Sequence, residues 1–188
     1  MSPAGRTVAP MRRITLISTG GTIEKTYDEM SGELSNRTSV VPRMLRRLRL
    51  EQTQVNSVPL MNKDSLDLTD ADRARIRDAI RLHAAELSTG DGVIVLHGTD
   101  TLCDTGEYLL KELGQLDIPV ILTGAMRPYE MKRSDALQNL TESLLAAGVL
   151  APGVYVVAHG RVLPFPGVIK DRTRGTFVKQ DQPESPSA

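Results

Sequence analysis

GVIVLHGTDTL, residues Gly92 to Leu102, joins a run of apolar side chains to a short polar one. Val93 to Leu96 carry no polar alternation, which predicts a strand buried on both faces, as in the middle of a parallel sheet. The polar run His97-Gly98-Thr99-Asp100-Thr101 then passes into a helical pattern. In open α/β sheets the ligand crevice lies at the carboxyl ends of such strands. Gly98 lets backbone approach closely, and Thr99 and Asp100 offer a hydroxyl and a carboxylate at that mouth. An ordinary strand-to-helix turn, with Thr or Asp as N-cap, fits the same residues.

Outward from this stretch the pattern repeats. Ile14 to Ser18 reads as a first strand, running into Thr19-Gly20-Gly21-Thr22-Ile23. Gln52 to Met61 reads as a second, ending in the polar segment Asn62 to Asp67. Pro119 to Leu122 leads into Thr123-Gly124-Ala125-Met126-Arg127-Pro128, and Val154 to Ala158 leads into His159-Gly160-Arg161. Between the strands lie helical stripes. Thr69, with Asp72 three residues on, forms a capping-box signal ahead of Ile76, Ile80, Ala84 and Leu87. Leu102, Leu109, Leu110 and Leu113 precede Gly114, and Leu137, Leu140, Leu144 and Ala147 precede Gly148. A shorter helix is expected from Pro42, and its four arginines read as a solvated face. This alternation predicts an α/β sheet, mostly parallel, with helices on both faces. It puts Thr22, Ser65, Thr99-Asp100 and Ala125 on one rim, but it does not specify strand order. Residues 24–40 read as a mobile hairpin or lid carrying Tyr27, and 162–177 hold Lys170 among turn residues and β-formers.

Composition narrows the class. The chain has 188 residues, enough for one well-buried domain, and 23 Lys+Arg balance 23 Asp+Glu. That balance names neither a nucleic acid nor an anionic membrane as partner. No stretch approaches the ~20 apolar residues of a membrane span, and no secretory signal is visible, so a cytoplasmic location is expected. The lone cysteine, Cys103, has no disulfide partner and no zinc-site company; a small helical residue is the expected role. Residues 1–12 read as a disordered leader, in which Met11 is a second candidate start. Residues 13–178 read as the domain and 179–188 as a disordered tail.

The segments TGGTI at residues 19–23 and HGTDT at 97–101 resemble, in order, the two signature segments of the bacterial L-asparaginase family. The later one fits throughout; the earlier one departs at Glu24, where the family carries a small residue. The resemblance runs from about Arg13 to Phe177 and implies the N-terminal domain of that fold, doubly wound with a flavodoxin-like core. It implies an amidohydrolase that needs no metal or cofactor. Amide hydrolysis requires a nucleophile, a group to take its proton, and donors for the developing oxyanion. The sequence has no G-x-S-x-G elbow and no H-E-x-x-H zinc helix; it has threonines on glycine-rich loops, a carboxylate and a lysine.

The family resemblance assigns these parts. Thr22 matches the acylated nucleophile, with Gly21 before it, and Tyr27 the lid tyrosine. Thr99, Asp100 and Lys170 match the second triad, with Gly98 in its loop. Ser65 matches the serine that holds the substrate carboxylate, Asp100 would bind the α-ammonium, and Ala125 offers backbone to a water or oxyanion. His97 reads instead as a structural hydrogen-bonding group under the loop. Two departures stand out. Leu66 occupies the place of a substrate-binding glutamine, and the chain ends where longer members begin a second domain. Short, single-domain members are therefore the branch it resembles most, and an apolar face left bare is expected to drive a homodimer or homotetramer. The expected activity is hydrolysis of L-asparagine to L-aspartate and ammonia. An amidohydrolase acting on glutamine or another amide, and a non-catalytic amino-acid-binding module, are the competing readings.

Overall fold

Val93, Ile94, Val95 and Leu96 are all fully buried in the computed structural model, which describes residues 11–180. In chain order the elements are β1 (Arg12–Gly20), β2 (Thr26–Asp28), β3 (Glu33–Ser35), α1 (Val41–Leu45), β4 (Thr53–Lys63), α2 (Asp70–Ala84) and β5 (Gly92–Leu96). They continue with α3 (Leu102–Leu113), β6 (Pro119–Thr123), α4 (Ala136–Ala147), β7 (Gly153–Ala158), β8 (Arg161–Pro164), β9 (Val168–Asp171) and β10 (Thr176–Lys179). Six strands form the main sheet in the order β4-β1-β5-β6-β7-β8; all neighbours are parallel except β7 and β8.

The two faces of β5 serve different cores. Val93 and Val95 pack with Ile76 and Ile80 of α2 and with Leu102, Leu109 and Leu113 of α3. Ile94 and Leu96 pack with Val41 and Met44 of α1 and with Ala136, Leu140 and Leu144 of α4. Each such side chain contributes about 1.5–3 kcal/mol when fully buried, so a strand apolar on both sides gains most at the sheet centre. The predicted capping box is present: the Thr69 hydroxyl accepts from the Asp72 amide, and Asp72 accepts from the Thr69 amide. Lys63 adds two bonds to Asp72 at 2.8 and 2.9 Å, which fasten the end of β4 to the start of α2 and hold the carboxyl far below its usual range.

Among the described residues no helix is long and apolar enough to cross a membrane. The first and last strands reach one residue beyond the bounds 13–178 expected for the domain. Arg12 opens β1 and Lys179 closes β10. Residues 1–10 of the expected leader and 181–188 of the expected tail lie outside the described residues. β4 runs to Lys63, so the polar segment after it is shorter than the composition implied.

The strand order decides where a ligand can enter. From β1 the chain moves to β4 on one side, then crosses back over β1 to β5. That reversal opens a crevice between the carboxyl ends of β1 and β5, flanked by residues 19–22 and 97–101.

Candidate active site

The two loops at the crevice touch through glycine. Gly21 has φ 79°, and a Cβ there would lie 2.5 Å from the backbone of Gly98. A Cβ on Gly98 would in turn meet the Ser65 hydroxyl oxygen at 2.5 Å. Gly21 thus packs backbone on backbone against Gly98, and Gly98 packs against the Ser65 side chain, contacts that no side chain at 21 or 98 would permit. Further bonds hold this packing. The Thr19 hydroxyl donates to Leu96 O at 2.9 Å, the Gly21 amide to Lys63 O at 2.9 Å, and the Thr101 hydroxyl to Ser65 O at 2.8 Å. The Ser65 hydroxyl itself is buried and has no hydrogen-bond partner among the described residues.

The structure brings Thr99, Asp100 and Lys170 together. Lys170 Nζ donates to Thr99 Oγ1 at 2.8 Å and to Asp100 Oδ1 at 3.0 Å. Seventy-one residues separate Thr99 from Lys170, so tertiary packing has to supply this contact. The hairpin β9–β10 does so, with Val168 and Phe177 in the core beside α3. Just before it, the Phe165 ring fills the space over Gly106 of α3, where even a Cβ would collide with it. Arg172, on the same hairpin, also donates to Asp100 Oδ1 at 2.9 Å. Burial pushes the Asp100 carboxyl upward, but Lys170 and Arg172 outweigh it and hold the group below its usual range.

Thr22 opens a 3-10 turn, Thr22–Glu24, directly after Gly21, and is half-buried at the crevice. Ala125 is buried next to Gly124, which abuts the His97 carbonyl. Tyr27 stands apart. It lies on β2 with 58% exposure, its hydroxyl near Gly32 and without a hydrogen bond among the described residues. The hairpin β2–β3 is held from outside: the Tyr27 amide donates to Glu130 at 3.1 Å, and Arg43 pairs with Glu130 at 2.6 Å. One arginine of the supposed solvated face therefore supports the strand that carries the tyrosine.

His97 is fully buried, and burial pushes its imidazole down to about 4. The neutral ring donates from Nδ1 to Gly98 O at 2.8 Å and accepts the Thr105 hydroxyl at Nε2, 2.9 Å away. It braces the loop from beneath. Cys103 is pushed up to about 12 by burial and by Asp104 and Glu107, which makes it a poor nucleophile at neutral pH. Among the described residues no three His, Cys, Asp or Glu side chains gather as a metal site.

Residues 13–183 match the family model described as "Asparaginase, N-terminal". The chain belongs to the asparaginase family. It is 36% identical over 141 residues to L-asparaginase 1 of Escherichia coli K12, an alignment covering 72% of this chain and 40% of that protein. It is 33% identical over 148 residues to a glutamyl-tRNA(Gln) amidotransferase subunit of Thermoplasma acidophilum, covering 79% of this chain and 36% of that one. Among solved structures, the thermostable L-asparaginase of Thermococcus kodakarensis matches with a TM-score of 0.80 at 28% identity, over 91% of this chain and 52% of that one. The chain thus spans about a third to a half of the length of these asparaginase-family relatives.

Against the asparaginase signature, sequence reasoning passed over two residues. Arg172 carried no signal, because nothing in a turn-rich segment says which side chain reaches Asp100. Glu24 did carry one, as the departure from the signature, but its burial was not legible. It is 3% exposed, and Ser39 donates to it at 2.6 Å. Burial raises its carboxyl above the ordinary value, against hydrogen bonds from Ser39, the Gly20 backbone and Ser18. A raised acid favours the folded state when protonated, so stability should fall as pH rises from the unfolded value through the folded one. Glu24→Gln keeps the shape without the charge. Denaturant titrations from about pH 4 to about pH 8 should show a smaller fall for that variant than for the parent; parallel curves would rule Glu24 out as the source.

Proposed function

We propose that this chain hydrolyses the side-chain amide of L-asparagine, releasing L-aspartate and ammonia. The observation that carries the reading is the Thr99–Asp100–Lys170 cluster, set at the topological switch point beside Gly21-Thr22. In the proposed sequence Thr22 Oγ attacks the amide carbon and forms an acyl ester. Its proton passes to the departing nitrogen, which leaves as ammonia, and water then cleaves the ester and restores the hydroxyl. A threonine hydroxyl needs a base, and a lysine acts as one only as the neutral amine. Asp100 keeps Arg172 as a cationic partner when Lys170 gives up its proton. A substrate carboxylate oxygen would satisfy the orphaned Ser65 hydroxyl. Backbone around Ala125 would serve the oxyanion or the water.

Two features bear on the substrate. Leu66 is 68% exposed beside Ser65, where it offers no acceptor to an α-ammonium. Arg172 sits on the carboxylate that would bind that ammonium. Its side chain is 70% exposed, so the ion pair is weak. Arg172→Ala is therefore expected to lower the KM for asparagine by about two- to fivefold, in line with a surface pair of up to ~1 kcal/mol. An unchanged or raised KM in steady-state assays would show that the arginine does not compete with substrate.

A second reading, with glutamine as the amide, is favoured by the similarity to an amidotransferase whose name carries glutamyl-tRNA(Gln). The test is ammonia release from each amide by the purified protein. Release from asparagine well above glutamine supports the proposal, and the reverse order supports the second reading. Binding of either amide without release would leave an amino-acid-binding module.

A further inference from the structure

A second polar cluster lies behind the Ala125 loop, around the turn from β7 to β8. Asp135, at the start of α4, accepts the Met126 amide at 2.9 Å and the Arg127 amide at 3.0 Å. Asn139 is buried; its Nδ2 donates to Gly124 O at 2.9 Å and to Asp135 at 3.0 Å, and its Oδ1 accepts the His159 amide at 3.0 Å. The His159 ring closes the set, with Nε2 2.8 Å from Asp135 Oδ2 and Nδ1 2.9 Å from Thr176 Oγ1. Thr176 is on β10, whose next residue, Phe177, pairs with Lys170 on β9. From these contacts we infer that His159 is a positioning residue, which couples the Gly124–Arg127 loop to the hairpin that presents Lys170.

Two considerations separate this role from an ordinary turn. His159 and Gly160 are the two residues between β7 and β8, with φ 54° and 72°. A two-residue hairpin with both φ positive favours Asn-Gly, so the turn has no need of an imidazole. What needs the imidazole is its reach in two directions, to Asp135 and to Thr176. Both contacts can form whichever way the ring carries its protons. Neutral, the ring donates from Nε2 and accepts the Thr176 hydroxyl at Nδ1; protonated, it donates from both, and the hydroxyl accepts instead. The coupling therefore rests on geometry. Displacing a backbone donor by ~1 Å costs about 10²-fold in rate, which sets the scale of the effect.

The inference rests on the amidase reading, and the experiment separates the two. His159→Asn keeps a residue suited to the turn but too short to bridge, and Thr176→Val removes only the hydroxyl at the far end. Each is expected to lower kcat about 10- to 100-fold with KM within about threefold of the parent. The double variant should be no worse than the weaker single, as for members of one unit. Amide hydrogen exchange at Met126 and Arg127 should quicken in both folded variants, with the rest of the sheet unchanged. Unchanged kcat in a folded His159→Asn protein, or a loss that only tracks the unfolded fraction, overturns the coupling. If the parent releases no ammonia, the functional reading fails. The exchange result on Thr176→Val then decides the coupling alone: faster exchange upholds it and unchanged exchange overturns it.

Discussion

Thr22→Ala is expected to lower asparagine turnover by roughly 10³-fold or more while the thermal transition stays within a few degrees of the parent. The side chain sits half-buried on a short 3-10 turn at the crevice, not in either core, so truncation opens no cavity under the sheet. The turn itself is shaped by Gly21 against Gly98, and the substitution leaves that contact untouched. What is lost is the hydroxyl that would carry the acyl group. Mass spectrometry of the parent, quenched during turnover, should show an adduct on the peptide containing Thr22, absent from the variant. Near-parent turnover in Thr22→Ala would remove the residue from the mechanism and leave Thr99 as the candidate nucleophile.

Lys170→Met should lower turnover by about 10²–10⁴-fold, the range for losing a positioned base. Its stability cost should be smaller than for a fully buried ion pair, because Asp100 keeps Arg172 and is itself 29% exposed. A loss of about 1.5–3 kcal/mol is expected, the scale of a hydrogen bond to a charged group. The pH dependence follows in sign. Asp100 is held below its ordinary value, so its contribution is present above that value and fades as pH falls through the folded one. Removing Lys170 should shrink this acid-side loss. Lys170→Arg separates chemistry from charge, since arginine stays protonated: stability should be kept and turnover lost. Urea titrations and steady-state kinetics on both variants check this. Full activity in Lys170→Met would mean that the contact to Thr99 serves packing alone.

The fold and the site were legible to different depths. Strand and helix identities followed from local chemistry. Four apolar residues ahead of His97 specify a strand buried on both faces, and Thr69 with Asp72 specify a helix start whatever lies beyond them. The rim positions followed too, because side chains after a parallel strand are delivered to its carboxyl end. Strand order did not follow. Periodicity reports which residues are buried and says nothing about which strand lies beside which, so the switch point between β1 and β5 appeared only with the sheet. The β8 to β10 segment was legible only as turn residues and β-formers. Its strands are four residues long, too short for a period to stand out.

By itself, then, the sequence determined the residue types at the crevice: two glycine-bearing loops, their threonines, Asp100, and the glycines that no side chain could replace. It determined these because φ, chain reach and apolar patterning act within a few residues of one another. Tertiary structure alone decided what each of those groups meets. It carried Lys170 across seventy-one positions to Thr99, set Arg172 on Asp100, buried Glu24 under its own turn, and left Tyr27 exposed. It also placed His159 between Asp135 and Thr176. Such contacts depend on where Phe165, Val168 and Phe177 find room against α3, and that room is a sum over many distant residues which no local pattern records.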